Sequence, residues 1–245
     1  MRKVGLIVFL IITQNLFSQR QIIEPEIDIF CFSIDRYYEI SNIEKVEELY
    51  NDAYVAIYYN NNFDEAIKSL LQALKLENDF FHALGILGII YAKLNLNDNV
   101  KEIEDRFIEL IKNNNSDKKL YYLLALIYDE QKMYIKAIDL LNQLYKLESI
   151  NDYVFVHYNI GKLYFEIKDY QKAYEYLNIA TKRFVDDGYF PQKYESSCLL
   201  GITCSHLKKY DEALLHFQFI LEDTIFGYRD PAVEYLIEII QEKIK

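Results

Sequence analysis

Apolar residues recur along this chain at the three-and-four spacing of a buried helix stripe. They come in pairs of segments separated by short polar turns. Leu124, Ala125 and Tyr128 lie on one stripe, and Tyr134, Ala137, Leu141 and Leu144 on the next. The succession returns as Ile160, Gly161 and Tyr164, then Tyr170, Ala173, Leu177 and Ala180. It returns again as Leu200, Gly201 and Cys204, then Tyr210, Ala213, Phe217 and Ile220. Upstream stand Leu87, Gly88 and Tyr91, and before them Phe63, Ala66, Leu70 and Ala73. A period near 3.6 predicts amphipathic helices. The small residues Gly88, Ala125, Gly161 and Gly201 stand 37, 36 and 40 residues apart. A small side chain within an apolar stripe lets a second helix approach closely, the part that Ala66, Ala137, Ala173 and Ala213 play on the second segments. Repetition at this period predicts stacked helix hairpins, each covering the open apolar face of its neighbour.

The series resembles the tetratricopeptide repeat, a helix–turn–helix unit of about 34 residues with a Leu-Gly, Tyr, Ala, Phe pattern. Units fall at about 47–80, 81–117, 118–151, 154–187 and 194–227, within an array over residues 41–227. The resemblance implies an all-α fold, a right-handed α-solenoid of about five helix pairs closed by a C-terminal capping helix at residues 230–245. Departures are specific. Trp is absent, and its place holds Tyr121, His157 or Ser197. The proline that often ends the unit is missing throughout. In the second unit Val100 replaces the usual Ala, and Glu104 stands where a large apolar residue is expected, so the helix near residues 97–112 is expected to be longer or shifted. The first unit offers either Ala53 or Tyr54 at the small position.

The flanks carry their own signals. Arg2 and Lys3 precede an unbroken apolar run at residues 4–12, and residues 13–18 turn more polar and end in Ser18. That order is the pattern of a secretory signal peptide, residues 1–18, cut before Gln19. Nine apolar residues cover about 14 Å of helix, against a hydrocarbon core of about 30 Å. Cleavage is therefore favoured over anchoring, and the expected product is exported, periplasmic or secreted, with no stable membrane span. Ser41 and Glu44 fit a capping box that starts the first helix. Asp230-Pro231 fits an N-cap and first helical residue of the last. Residues 19–40 have no clear element pattern, but Ile27, Ile29, Phe30, Phe32 and Ile34 are too apolar for a free tail, so they are expected to pack on the superhelix. Residues 186–193 form a longer loop.

Composition narrows the function. The 245 residues include 7 Gly and 3 Pro, too few for the corners of a many-stranded barrel or sandwich. The net charge of −11, which becomes −13 without the two bases of residues 1–18, excludes a nucleic-acid partner that needs a basic stripe. Cys31, Cys198 and Cys204 are an odd set, and Cys198 and Cys204 are too far apart on one helix to bridge. Both look like small buried hydrophobes. No phosphate-cradling glycine loop, His-Glu-x-x-His, Cys-x-x-Cys or Gly-x-Ser-x-Gly pattern occurs. Cys198, Cys204, His206 and His216 share the last unit, but their spacing does not converge, so core packing is preferred to a metal. Asp186-Asp187-Gly188 reads as a turn rather than a calcium loop, and the acidic pairs as solvated helix faces. No catalytic residue, cofactor or metal is expected.

In the family this chain resembles, first helices line a concave groove in which partners lie. The stripe beside the core face supplies the candidate binding residues: Tyr58 and Tyr59; Ile89 and Lys93; Tyr122, Leu126 and Asp129; Phe155, Lys162 and Phe165; and Ile202. This stripe is apolar and aromatic for a wetted surface. A partner peptide or helix, the chain's own residues 19–40 or terminal helix, or packing between first helices would each account for it. The Lys, Asn and Arg clamp that holds terminal carboxylates elsewhere in the family is not reproduced. The leading expectation is an exported scaffold that holds a protein or peptide partner. The alternatives are an enzyme or small-ligand carrier using residues 19–40 or 186–193, and self-assembly through the terminal helix.

Overall fold

The computed structural model describes residues 41–114, 117–146, 154–188, 192–222 and 231–244. The signal-peptide and 19–40 readings, Cys31, Asp230 and the centre of the 186–193 loop lie outside the described residues. Among the described residues there are eleven helices and no strand. They fall into two compact units, one ending at Glu148 and the other beginning at Ser149.

The first unit holds α1 (Glu44–Tyr58), α2 (Phe63–Leu76), α3 (Phe81–Lys93), α4 (Asn97–Asn113), α5 (Lys118–Glu130) and α6 (Tyr134–Lys146). Helix α1 pairs with α2, α3 with α4 and α5 with α6, and α3 also packs on α2 and α5. The second unit holds α7 (Val154–Glu166), α8 (Tyr170–Asp186), α9 (Gln192–His206), α10 (Tyr210–Glu222) and α11 (Pro231–Ile244). There α7 packs on α8, α8 on α9, α9 on α10 and α10 on α11.

One turn is used four times and, one residue longer, a fifth. The residue before each second helix sends its N–H back to a carbonyl near the end of the first helix: Leu96 to Tyr91 at 2.9 Å, Met133 to Tyr128 at 2.8 Å, Asp169 to Tyr164 and Lys209 to Cys204 at 2.9 Å. The intervening Asn95, Lys132, Lys168 and Lys208 take positive φ, as does Asn61 in the first hairpin. This is the left-handed helix stop that satisfies orphan carbonyls, usually built on Gly and here on Asn or Lys. The first hairpin spans one residue more, with Asn62 N–H bonding Ala56 O at 2.8 Å. Three residues before these acceptors stand Gly88, Ala125, Gly161 and Gly201, and in the first hairpin Ala53. The extra turn residue resolves the ambiguity of the first unit in favour of Ala53, which is fully buried, while Tyr54 is half-buried against Tyr58.

The small residues lie where helices touch. A Cβ on Gly161 would come 2.7 Å from Leu177 Cγ, and one on Gly201 2.8 Å from Phe217 Cε1, each on the partner second helix. A Cβ on Gly88 would clash with Ile127 Cδ1 and come 3.0 Å from Ile103 Cγ2. The second-helix positions Ala66, Val100, Ala137, Ala173 and Ala213 are all fully buried. Helix α4 absorbs its two departures by running to 17 residues and burying Ile103 and Phe107 in place of position 104. Glu104 turns aside, accepts the Tyr128 hydroxyl and lies 3.7 Å from Lys136 Nζ.

The expected capping box at Ser41 is not made. Helix α1 starts after Ile43, which has no side-chain cap. Ser41 Oγ instead accepts from Ile43 N–H at 3.0 Å and donates to Glu77 Oε2 at 2.6 Å, while Ser41 N–H reaches Glu47 Oε1 at 3.4 Å. The two residues between Ser41 and the helix put it too early to cap, so it staples the chain entry to the end of α2. Elsewhere Asn62 and Asp169 cap α2 and α8 through Glu65 N and Lys172 N. In the second unit α11 lays Val233, Leu236 and Ile240 on the core, and its far side carries exposed Glu238 and Glu242. A polar outer face of this kind suits a terminal element of a stack.

Candidate functional site

First and second helices differ in how they are buried. On the second helices the buried residues form one stripe, such as Ala66, Leu70, Ala73 and Leu74 on α2 or Ala137, Ile138, Leu141 and Leu144 on α6. On α3 every residue from His82 to Ala92 is buried, and on α5 every residue from Leu120 to Tyr128. Helix α9 is buried from Leu199 to Ser205 without a break. A helix enclosed on all sides has no solvated stripe.

The candidate binding residues divide accordingly. Ile89, Tyr122 and Leu126 in the first unit and Ile202 in the second are buried side chains, not surface anchors. Tyr58, Lys93 and Asp129, and Phe155, Lys162 and Phe165 in the second unit, are half-buried, and only Tyr59 is freely exposed, at 73%. None of Tyr58, Lys93, Tyr122, Asp129, Phe155 and Lys162 lacks an interaction partner. Lys93 Nζ lies 3.5 Å from Glu130 Oε1, which ties α3 to α5. Tyr58 stacks on Tyr54 with ring centroids 4.4 Å apart. Phe165 meets the rings of Tyr170 and His206, which stack on each other at 4.1 Å.

Exposed apolar side chains gather instead at the turn edge of the first unit. Tyr59, Leu94, Leu96 and Met133 belong to its three successive helix–helix turns, Ile135 stands in the first turn of α6, and all are exposed. Of these only Tyr59 stood in the candidate stripe; Leu94, Leu96 and Met133 lie in turns, outside the helical period. Their signal was apolar residues in turns where polar ones are the rule.

The polar groups of the second unit are structural. Tyr174 hydroxyl donates to Glu212 Oε2 at 2.8 Å, and Lys209 Nζ sits 3.4 Å from Glu212 and 3.6 Å from the Tyr174 ring centroid. The Tyr174 hydrogen bond, with Lys209 beside it, holds the Glu212 carboxyl below its ordinary value. Burial, with Glu212 adding, pushes the Cys204 thiol up to about 12. A thiol that stays protonated is neither a nucleophile nor a ready metal ligand. Cys204 is buried as expected, whereas Cys198 is only half-buried. Burial lowers the pKa of His206 and of His216, and Lys243 and Lys168 add to the effect on His206. Among the described residues no group of three or more His, Cys, Asp or Glu converges on a cation site. An open cleft of about 420 Å³ lies between α7 and α8, bordered by Val154, Asn178 and Ile179 with Lys182, Arg183 and Asp186. Arg183 there already pairs with Asp187 at 3.5 Å. No described helix is long and apolar enough to cross a membrane.

Comparison with known proteins agrees with this architecture. Residues 56–99, and residues 118–151 with 156–183, match family models described as tetratricopeptide repeat. Comparison with curated proteins finds no match. Among solved structures, the chain resembles PilW, described as a widely conserved type IV pilus biogenesis factor, at 12% identity over 82% of this chain and 87% of that one, with a TM-score of 0.64. It resembles pilF of Pseudomonas aeruginosa at 14% identity over 82% and 84%, TM-score 0.63. It also resembles TTC0263, a thermophilic TPR protein of Thermus thermophilus, at 17% identity over 80% and 98%, TM-score 0.59. At these identities the likeness is one of fold.

Proposed function

From the premise that the chain is a tetratricopeptide repeat protein with an all-α solenoid fold, we propose that it is an exported scaffold that grips a peptide or helix of a partner protein along its first helices. The observation that carries this reading is the all-round apolar character of those helices. Packing α3 on its hairpin partner calls for one stripe, yet Leu84, Ile86, Leu87, Ile89 and Ile90 point to several sides of it. A surface of this kind gains most from an apolar or aromatic anchor fitted among aliphatic side chains. Tyr58, Tyr59, Ile89, Lys93, Tyr122, Leu126 and Asp129 are the contact residues proposed in the first unit, and Phe155, Lys162, Phe165 and Ile202 in the second. In each unit those already buried form the floor; Tyr58 and Tyr59 make the rim in the first unit, and Phe155 and Lys162 in the second.

Export rests on the charged start and apolar run of residues 1–12. PilW and pilF lend support only through the pilus role in the PilW description, since the likeness to both is one of fold. No chemistry is assigned to the chain. The test is affinity capture by the full chain from the envelope fraction of its own cell. Wild type is compared with Tyr59→Glu, at an exposed position, and with Lys162→Glu, with the melting temperature of each variant measured alongside so that lost folding is told apart from lost binding. Loss of the same protein from both variants, restored binding with the purified partner and wild type, and a dissociation constant raised about tenfold or more by either change would support the scaffold. Identical partners at equal yield would remove the groove from consideration.

A further inference from the structure

The α7–α8 and α9–α10 turns of the second unit meet edge to edge. His206, the last residue of α9, stacks on Tyr170 at the start of α8, with ring centroids 4.1 Å apart and planes 3° from parallel. Phe165 of α7 meets both rings. Two residues along the chain from each stacked ring stands a lysine. Lys168 and Lys208 hold the same place in their turns, at φ 66° and 61°, and both side chains are exposed. Helix α11 brings a third lysine to this edge, since Lys243 Nζ lies 5.8 Å from the centroid of the Tyr210 ring at the start of α10. Among the described residues these three lysines have no ion pair. Their neighbours do: Lys172 lies 3.4 Å from Asp169, and Lys209 3.4 Å from Glu212. Helix C-termini favour a cation, which accounts for lysine here. It does not account for three lysines left without a carboxylate in a chain of 38 acids and 27 bases.

His206 registers the same imbalance. It is half-buried, and burial, then Lys243 and Lys168, lower its pKa. Lys208 and Lys209 follow it in its own turn. The acids at this edge are otherwise occupied or turned to water. Asp169 and Glu212 hold Lys172 and Lys209, Glu166 adds to the effect of burial in raising the Tyr170 pKa, and Asp211 and Glu242 are exposed. We propose that Lys168, Lys208, Lys243 and His206 form a binding site for a short acidic stretch of a partner protein, whose carboxylates supply the missing counter-charge. Hydrogen bonds between a charged donor and a carboxylate are shorter and stronger than neutral ones, and a carboxylate beside His206 favours its imidazolium. The net charge of −11 narrows the class of ligand. A nucleic acid or an anionic membrane presents an extended field that the chain as a whole repels. A few carboxylates on a peptide respond to what lies within a Debye length, about 8 Å at physiological salt. On one face of an extended peptide, carboxylates two residues apart stand about 7 Å from each other, a spacing that lysines on helices about 8–10 Å apart can span. The site lies on the turn edge and needs neither Tyr59 nor the buried floor of the first helices, so it stands or falls separately from the groove.

The test measures binding of fluorescein-labelled hexaglutamate to the full chain by fluorescence anisotropy. The triple variant Lys168→Asn, Lys208→Asn and Lys243→Gln should weaken binding about tenfold or more, asparagine being chosen at the two turns because it tolerates positive φ. Lys182→Gln, at an exposed position near the far end of α8, controls for net charge and should change the affinity less than about twofold. Between pH 8 and pH 6 the wild-type affinity should rise about threefold or more, because the peptide stays ionised while His206 takes up a proton. His206→Gln should abolish that rise. Absence of saturable binding, an equal loss in Lys182→Gln, or a wild-type affinity that does not change with pH overturns the site. Tighter binding of a single-stranded oligonucleotide or of phosphatidylglycerol vesicles, lost in the same triple variant, refutes the acidic peptide as its ligand. Melting temperatures of all variants tell lost folding from lost binding.

Discussion

Replacing Gly161 with alanine should destabilise the second unit even though alanine is the better helix former. Alanine gains about 1 kcal/mol over glycine in a helix interior. Against that, the new methyl would sit 2.7 Å from Leu177 Cγ, 2.9 Å from Leu177 Cδ2 and 3.0 Å from the Leu177 backbone nitrogen. Apolar carbons in contact prefer about 3.5–4.0 Å. The leucine tip could rotate away, but the backbone nitrogen could move only with α8 itself. Forcing extra volume into such a contact costs about 1–3 kcal/mol; with a backbone atom in the way the upper part of that range, about 2–3 kcal/mol, applies, and after the alanine gain a net loss of about 1–2 kcal/mol is expected. Gly161→Leu should cost more. Gly85→Ala is the control, because its new methyl meets only side-chain atoms of Leu123, at 2.9 Å and beyond, and should be close to neutral. In a chain of this size each kcal/mol moves Tm by about 2–4 °C, giving a fall of about 2–8 °C for Gly161→Ala in a circular-dichroism melt. Stacked hairpins can open unit by unit, so amide exchange over residues 154–186 should report the same loss locally. If Gly161→Ala melts at or above wild type, or Gly85→Ala falls as far, the contact is not the one described.

Other outcomes follow from the same contacts. Lys168 holds φ near 66° in the α7–α8 turn, and Lys168→Gly should raise stability by about 0.5–1 kcal/mol, read as a higher urea midpoint at unchanged m-value. Tyr128→Phe removes the donor that Glu104 accepts and should cost about 1–2 kcal/mol; a double variant with Glu104→Leu should recover part of it, and no recovery would mean the pair is not coupled. His206 and His216 have lowered pKa values because burial disfavours the imidazolium. As pH falls through 6.5 the unfolded chain therefore binds more protons than the folded one, and stability drops until both states are charged. The melting temperature should decline between pH 7.5 and 5.5, and His216→Gln should flatten the decline; a melt that rises on acidification would show the sign to be wrong.

Second helices were legible because each has one solvated side. The alternation that puts Ala173, Leu177 and Ala180 inward on α8 also puts Lys172, Glu175 and Asn178 outward, and a period can be read only where polar residues mark its other half. The repeat spacing was legible for a related reason, since Gly161 and Gly201 have no substitute where helices approach so closely. Turn chemistry was not. Lysine at positions 132, 168 and 208 carries no sign of positive φ, because the stop is imposed by the carbonyls it frees and not by the residue itself. Ser41 was misread because Ser-x-x-Glu is local, and its hydroxyl is taken by Glu77, which is 36 residues away in sequence.

The same physics explains why the candidate site was the least legible part. A stripe beside the core can be separated from the core only while it stays amphipathic, and α3, α5 and α9 are not. In α3 the residues Ile86, Leu87, Ile89 and Ile90 follow one another with both glycines between and around them, so no angle about the axis is more polar than another. Sequence can therefore show that such a helix must be covered but cannot say by what. In the first unit α2, α4 and α5 all pack on α3, with α5 meeting it at Gly85 and Gly88 and, through Glu130, at Lys93.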